Sequence, residues 1–184
     1  MAVYRLLPFV PLTAALFWAA VQDLRTRRIR NWLTLSLLLA GVAQSFLPGR
    51  TVSPGESALG VLIGFALPLL LFVIGALGGG DVKLLTAIGA WIGAAGILQV
   101  FAVEAILGML MVLTQAAVTG RFRALLHNSA VVAINLWHLN DVGLEHVTAT
   151  GRSCRSVDRP LPFAVPVFAA TLIVVYVSVC GGRL

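Results

Sequence analysis

A succession of six apolar segments constrains this chain more than any other feature. They cover residues 6–22, 32–47, 57–77, 82–96, 97–118 and 161–180. A helix needs about 20 apolar residues to cross the bilayer core, and it satisfies its own backbone hydrogen bonds there. The chain is also 59% hydrophobic, with only 11% charged residues. The sequence therefore predicts an all-α, polytopic membrane protein with about six transmembrane helices, forming a single domain over residues 1–184.

Two features of the apolar segments leave alternatives open. The fourth segment is short and meets the fifth without a polar break, so either a turn at Gly93–Gly96 separates two helices or residues 82–118 form one long, bent helix. The first segment also has the character of a signal peptide, although the four arginines that follow it favour a retained helix.

The distribution of basic residues predicts the orientation in the membrane. If the N-terminus is outside, ten basic side chains face the cytoplasm and three face outward, as the positive-inside rule requires. The inner set is Arg25, Arg27, Arg28, Arg30, Lys83, Arg121, Arg123, Arg152, Arg155 and Arg159, and the outer set is Arg5, Arg50 and Arg183. The formal charge of +6 is therefore a topology signal, and no nucleic-acid partner is predicted. We expect a multi-pass protein of the inner (cytoplasmic) membrane.

The longest polar interval, residues 119–160, is too short for an independent core. Its apolar residues recur at helical intervals among basic ones, which predicts an amphipathic helix lying in the membrane interface; a lid or a docking surface is the alternative. The three histidines lack metal-ligand spacing and there is no CxxC motif, so no metal or cofactor is predicted.

Three of the seven acids require an explanation, because ionisable groups at membrane depth are costly and usually functional. Asp23 ends the first segment and could simply pair with Arg27 or Arg28. Asp81 follows three glycines and could simply cap a helix N-terminus. Glu104 lies inside the fifth segment, away from the predicted cytoplasmic boundary. We expect a structural or tuning role for Glu104, with a proton relay as the alternative.

Considered together, the two aspartates indicate a shared site. Two complete spans separate Asp23 from Asp81, and an even number of crossings returns the chain to the same face of the membrane. If their helices pack side by side, the two carboxylates share a partly desolvated site in which one holds a proton and the other is ionised. One can then activate a water molecule while the other polarises a carbonyl group, as in aspartic proteases.

The residues around Asp81 suit a peptide substrate. Gly78, Gly79 and Gly80 leave the backbone open to an extended strand, with which it can form hydrogen bonds. Lys83 is predicted to be a topology marker, and a substrate contact is the second role considered for it. No Walker motif or dinucleotide fingerprint occurs, so nucleotide-driven chemistry is not predicted.

Three stretches resemble motifs of the prepilin peptidases, the type IV leader peptidases. The stretch "GGGDVKLLTAIGAWIG" at 78–93 resembles their GxGD motif through Gly78, Gly80 and Asp81. The stretch "QDLRTRRIRNWL" at 22–33 is similar to their first motif, and "RPLPFAVPVFAATL" at 159–172 resembles the start of their last helix. The resemblance implies a membrane aspartic endopeptidase that removes a short basic leader from type IV prepilins or pseudopilins, with Asp23 and Asp81 as the catalytic pair.

Two departures from the family pattern refine this expectation. The short chain has no cytoplasmic insert with paired CxxC motifs, so it resembles the tight-adherence (Flp-type) branch, and methyltransferase activity is not predicted. Arg30 replaces a proline that usually precedes the asparagine of the first motif. Two other hypotheses remain: a small ion-coupled transporter with a midplane site, and a non-catalytic membrane subunit of a secretion or pilus assembly.

Overall fold

The computed structural model describes residues 6–74, 77–137 and 162–181, and these ranges contain α-helices and no strand. The α-helices are α1 (Val10–Thr26, preceded by the 3-10 turn Leu7–Phe9), α2 (Asn31–Gln44), α3 (Pro54–Val73), α4 (Gly79–Val118), α5 (Phe122–Trp137) and α6 (Ala164–Cys180). The predicted all-α class is confirmed.

The lengths and apolar character of the helices fit a membrane protein. Leu7–Thr26, Pro54–Val73 and Gly79–Val118 are long and apolar enough to cross a bilayer, and Asn31–Gln44 and Ala164–Cys180 are shorter apolar helices. Large apolar side chains such as Phe17, Leu62 and Tyr176 are exposed on the outside of the bundle. This outward apolar surface is what a lipid environment requires.

Helix α4 consists of two limbs, because the chain reverses at Gly93. Gly93 has φ 72° and ψ −175° within an otherwise helical stretch, and this backbone conformation is essentially restricted to glycine. A Cβ atom placed on Gly64 of α3 would meet both the carbonyl oxygen of Leu85 and the side chain of Ile97. In a straight helix, Leu85 and Ile97 would lie about 18 Å apart. Residues 79–92 and 94–118 are therefore antiparallel limbs, which agrees with the six-segment prediction and puts the turn at Gly93.

The first limb of α4 is the centre of the bundle. Every residue from 81 to 92 is buried except Lys83. Helix α3 approaches this limb so closely that a Cβ atom on Gly60 would collide with the carbonyl oxygen of Gly89, and the reverse also holds. Small residues allow such backbone contact between membrane helices. On the other side, Gly41 of α2 accommodates the indole ring of Trp91.

Side-chain hydrogen bonds hold the neighbouring helices against this limb. The Ser57 hydroxyl donates to the carbonyl oxygen of Ala90 at 2.9 Å, and the Trp91 indole N–H donates to that of Leu37 at 2.9 Å. The Thr51 hydroxyl donates to the carbonyl oxygen of Trp91 at 2.7 Å. Buried polar groups are costly without partners, so these bonds fix the angular position of the limb.

Helix α6 packs against α1 and α4 and completes the core. Its buried residues Val167, Ala170 and Val174 join Leu12 and Leu16 of α1 in one apolar cluster. The rings of Phe17 and Phe168 meet edge to face, with centroids 6.0 Å apart. Through these contacts α6 fixes the position of α1.

Helix α5 occupies part of the polar interval for which an interfacial helix is predicted. Phe122, Leu126 and Ile134 are exposed on it. The rest of that interval, including His138, His146 and Cys154, lies outside the described residues. The interfacial position of α5 stays a prediction.

The close contact between α3 and α4 makes Gly60 intolerant of a side chain. We expect Gly60→Ala to lower the free energy of unfolding by about 1–3 kcal/mol, because the new methyl group must displace backbone. Gly55→Ala on the same helix is the control, since nothing lies within 4 Å of a Cβ atom there. Thermal unfolding in detergent compares the two variants, and equal midpoints would contradict the described packing.

Candidate active site

Three buried acids lie at the same end of the bundle. Asp23, Asp81 and Glu104 have exposed fractions of 7%, 8% and 5%. Both Asp23 and Glu104 interact electrostatically with Asp81. Glu56, the fourth acid in the described ranges, is exposed beside the Gly93 turn at the opposite end.

Asp23 lies near the end of α1 and contacts the start of α6. Its Oδ2 atom accepts a hydrogen bond of 3.0 Å from the backbone N–H of Ala164, the first residue of α6. The first N–H groups of a helix have no partner within the helix, so Asp23 caps α6 from a distant part of the chain. Arg27 and Arg28, the predicted alternative partners, are exposed.

Asp81 is the third residue of α4, and the N-cap position belongs to Gly78. The Asp81 carboxylate accepts a hydrogen bond from the backbone N–H of Gly78, which is the bond an acid at this position makes back to the N-cap residue. A Cβ atom on Gly78 would lie only 2.9 Å from Asp81 Oδ2. Gly78 therefore gives the carboxylate the room it occupies.

The turn between α1 and α2 packs over the start of α4. Arg27 has φ 52°, a left-handed conformation that bends the chain sharply after α1. The side chain of Ile29 then lies 3.7–3.9 Å from a Cβ position on Gly80. Arg30 has φ −70°, a value that proline also adopts. The arginine that stands in place of the usual proline therefore has a backbone φ that the proline would also have.

Glu104 occupies a place that the sequence does not predict. The expectation that it lies away from the aspartates is wrong, because the reversal at Gly93 brings it level with Asp81. Glu104 is 11 residues after Gly93 and Asp81 is 12 before it, or about 16 and 18 Å along antiparallel limbs. A Cβ atom on Gly108 would lie 3.8 Å from both Glu104 Oε1 and the ring of Phe163. The Glu104 carboxyl group thus lies near Phe163, the residue before the Ala164 whose N–H binds Asp23.

The predicted substrate-contacting residues differ in accessibility. Gly78 is exposed, whereas Gly79 and Gly80 are half-buried. Gly79 faces the ring of Phe72, and Gly80 faces Ile29. Lys83 is exposed, and its Nζ atom donates a hydrogen bond of 3.0 Å to Oδ1 of Asn31.

Sequence reasoning missed two contacts near the aspartates. Ala164 binds Asp23 and Asn31 binds Lys83, and no local pattern reveals such contacts between distant segments. The predicted turn at Gly93–Gly96 was the signal that could have located Glu104. The sequence did not show at which of these residues the chain turns, so it did not show which residues of the two limbs lie level with each other. Within the described ranges, no group of His, Cys, Asp and Glu is arranged to hold a metal ion.

A cavity of about 270 Å³ lies at the other end of the bundle, beside the Gly93 turn. Its walls include Glu56, Gln99 and Ser178, together with apolar residues such as Ile92 and Val174. None of the predicted site residues lines it. The cavity is therefore separate from the three buried acids.

The fold and the site together define a helical membrane protein with a set of buried carboxylates at one end. Residues 10–113 match the model of the type IV leader peptidase family. This match covers more than half of the chain and includes all three buried acids, so the chain belongs to this family. Membership indicates a membrane peptidase that acts on prepilins. No curated protein and no solved structure matches the chain.

The room that Gly78 leaves for Asp81 can be tested directly. Gly78→Ala is expected to displace the Asp81 carboxylate and, if that carboxylate takes part in peptide cleavage, to lower peptidase activity at least tenfold, since small misplacements of a reacting group are costly. Gly55→Ala again provides the control, with activity unchanged. Leader cleavage in isolated membranes measures both variants. If Gly78→Ala cleaves at the normal rate, the contact with Asp81 does not matter for activity.

Proposed function

We propose that this protein is an aspartic endopeptidase that removes the leader peptide from Flp-type prepilins or pseudopilins, using Asp23 and Asp81 as its catalytic pair. The main support is that two buried carboxylates from separate helices lie within electrostatic reach of each other at one end of the bundle. Like charges in such a site favour the sharing of one proton, which is the state that aspartic proteases use.

The reaction then proceeds by acid–base catalysis. The ionised aspartate removes a proton from water, and the water oxygen attacks the scissile carbonyl carbon. The protonated aspartate gives its proton to the carbonyl oxygen, which produces a neutral tetrahedral intermediate. When that intermediate collapses, the C–N bond breaks and the leaving nitrogen receives the proton taken from water. At the same time, the aspartate that protonated the carbonyl oxygen takes a proton back from one of the two hydroxyl groups of the intermediate, which leaves the carboxylic acid product and returns both aspartates to their starting states.

The start of α4 offers a suitable surface for the substrate backbone. Gly78 is exposed next to Asp81, and the first N–H groups of a helix lack carbonyl partners within it. An extended peptide can therefore approach Gly78 and accept hydrogen bonds near the carboxylates. Ile29 and Phe72 flank the neighbouring glycines and would bound this approach with apolar walls.

The charges around the site support a cytoplasmic location. The exposed residues Arg25, Arg27, Arg28, Arg30 and Lys83 surround the end of the bundle that carries the acids. Arg50 lies in the α2–α3 connection at the other end, beside Thr51 and the Gly93 turn. This asymmetry follows the positive-inside rule for an inner-membrane protein. The Flp-type substrate is the part of this proposal that rests on the resemblance to the tight-adherence branch.

Removal of either catalytic carboxylate should stop the reaction. We expect Asp23→Asn and Asp81→Asn each to lower the rate of leader cleavage by at least about 10³-fold, because an amide cannot exchange the proton. The assay follows the mobility of a co-expressed Flp-type prepilin in membranes. A prepilin from a different pilus class, used as substrate in the same assay, shows whether cleavage is specific for Flp-type prepilins.

Glu56→Gln makes the same chemical change at the opposite end of the bundle and serves as the matched control, with cleavage unchanged. Normal cleavage by either asparagine variant would refute the assigned pair. Loss of cleavage in all three variants would show only that acids in general are needed for a functional protein, which would also contradict the assignment.

Glu104 should matter less than the two aspartates. Glu104→Gln preserves the size and shape of the side chain and removes its ability to ionise, so we expect cleavage to fall by no more than about tenfold. The assay described above measures this variant against the two asparagine variants. If Glu104→Gln is as inactive as they are, the reaction uses three carboxylates and the assignment of a pair is wrong.

A further inference from the structure

The two helices that carry the proposed catalytic aspartates barely touch each other. Helix α1 packs chiefly against α6, with smaller contacts to α2 and the preceding 3-10 turn, whereas α4 packs against α3, α2 and α6. The spacing between Asp23 and Asp81 therefore depends on groups that bridge the two helices. One bridge is the Ala164 N–H, which binds Asp23.

A second bridge runs through the turn that follows Asp23. This turn begins with the left-handed residue Arg27, brings Ile29 against Gly80, and ends where Asn31 accepts a hydrogen bond of 3.0 Å from Lys83. Asn31 is the first residue of α2, and Lys83 is two residues after Asp81. The contact thus joins the segment after one aspartate to the segment after the other.

We propose that Asn31 and Lys83 form a positioning pair that sets the distance between Asp23 and Asp81, with Lys83 acting through Asn31 and not as a substrate contact. This inference rests on the proposed function. Both side chains are exposed at the rim of the site, so their hydrogen bond contributes little to overall stability. Its effect should fall instead on the geometry of the reacting groups, to which rates are very sensitive.

A double-mutant cycle tests this proposal. We expect Asn31→Ala and Lys83→Met each to lower kcat about 2- to 10-fold with little change in KM, since each removes one hydrogen bond. The double variant should be no slower than the single variants, because both changes break the same contact. Asn31→Asp keeps the oxygen acceptor and should retain the wild-type kcat. Thermal unfolding of every variant should match that of the wild type.

Three outcomes would overturn the positioning role: additive losses in the double variant, a rise in KM for Lys83→Met alone, or failure of Asn31→Asp to retain activity. The second outcome would make Lys83 a substrate contact. Asp81→Asn in the same assay separates this inference from the proposed function. Its inactivity supports the catalytic pair whatever the cycle shows, and its activity refutes the pair even if the cycle shows coupling.

Discussion

The backbone conformation of Gly93 determines which acids share a site. Its positive φ of 72° folds residues 94–118 back along residues 79–92, and positions equally far from the turn come level. Asp81 and Glu104 are such positions. In one straight helix they would be about 35 Å apart. A glycine remote from the carboxylates thus sets the composition of the site, and a side chain there would be strained whatever space surrounds it.

Burying several carboxylates in an apolar bundle is costly, and helix ends supply part of the compensation. Helix α4 begins beside Asp81 and α6 begins beside Asp23, so two helix N-termini converge on the acids. Their partly positive ends favour negative charge. The N–H groups of Gly78 and Ala164 also donate directly to the two carboxylates. Helix ends therefore offset part of the cost of burying the two aspartates.

The sequence predicted that Asp23 and Asp81 lie at the same end of the bundle, because that inference needed only the parity of membrane crossings. It could not predict the place of Glu104, which depends on the residue at which the chain turns. A turn at Gly96 would bring Glu104 level with Ile88, about 10 Å from Asp81 along the helix. A turn at Gly93 brings it level with Val82. The contacts of Ala164 and Asn31 were inaccessible for another reason, since they depend on tertiary packing between distant segments.

The weak contact between α1 and α4 also bears on how a peptide could reach buried acids. The tightly packed part of the molecule is the α3–α4 contact through Gly60 and Gly89, which lies away from the acids toward the Gly93 turn. The aspartate-bearing helices are joined mainly through α6 and the turn at residues 27–31, and neither connection involves that contact. A substrate strand that approached the carboxylates between these helices would pass the exposed Gly78 and would leave the α3–α4 contact undisturbed.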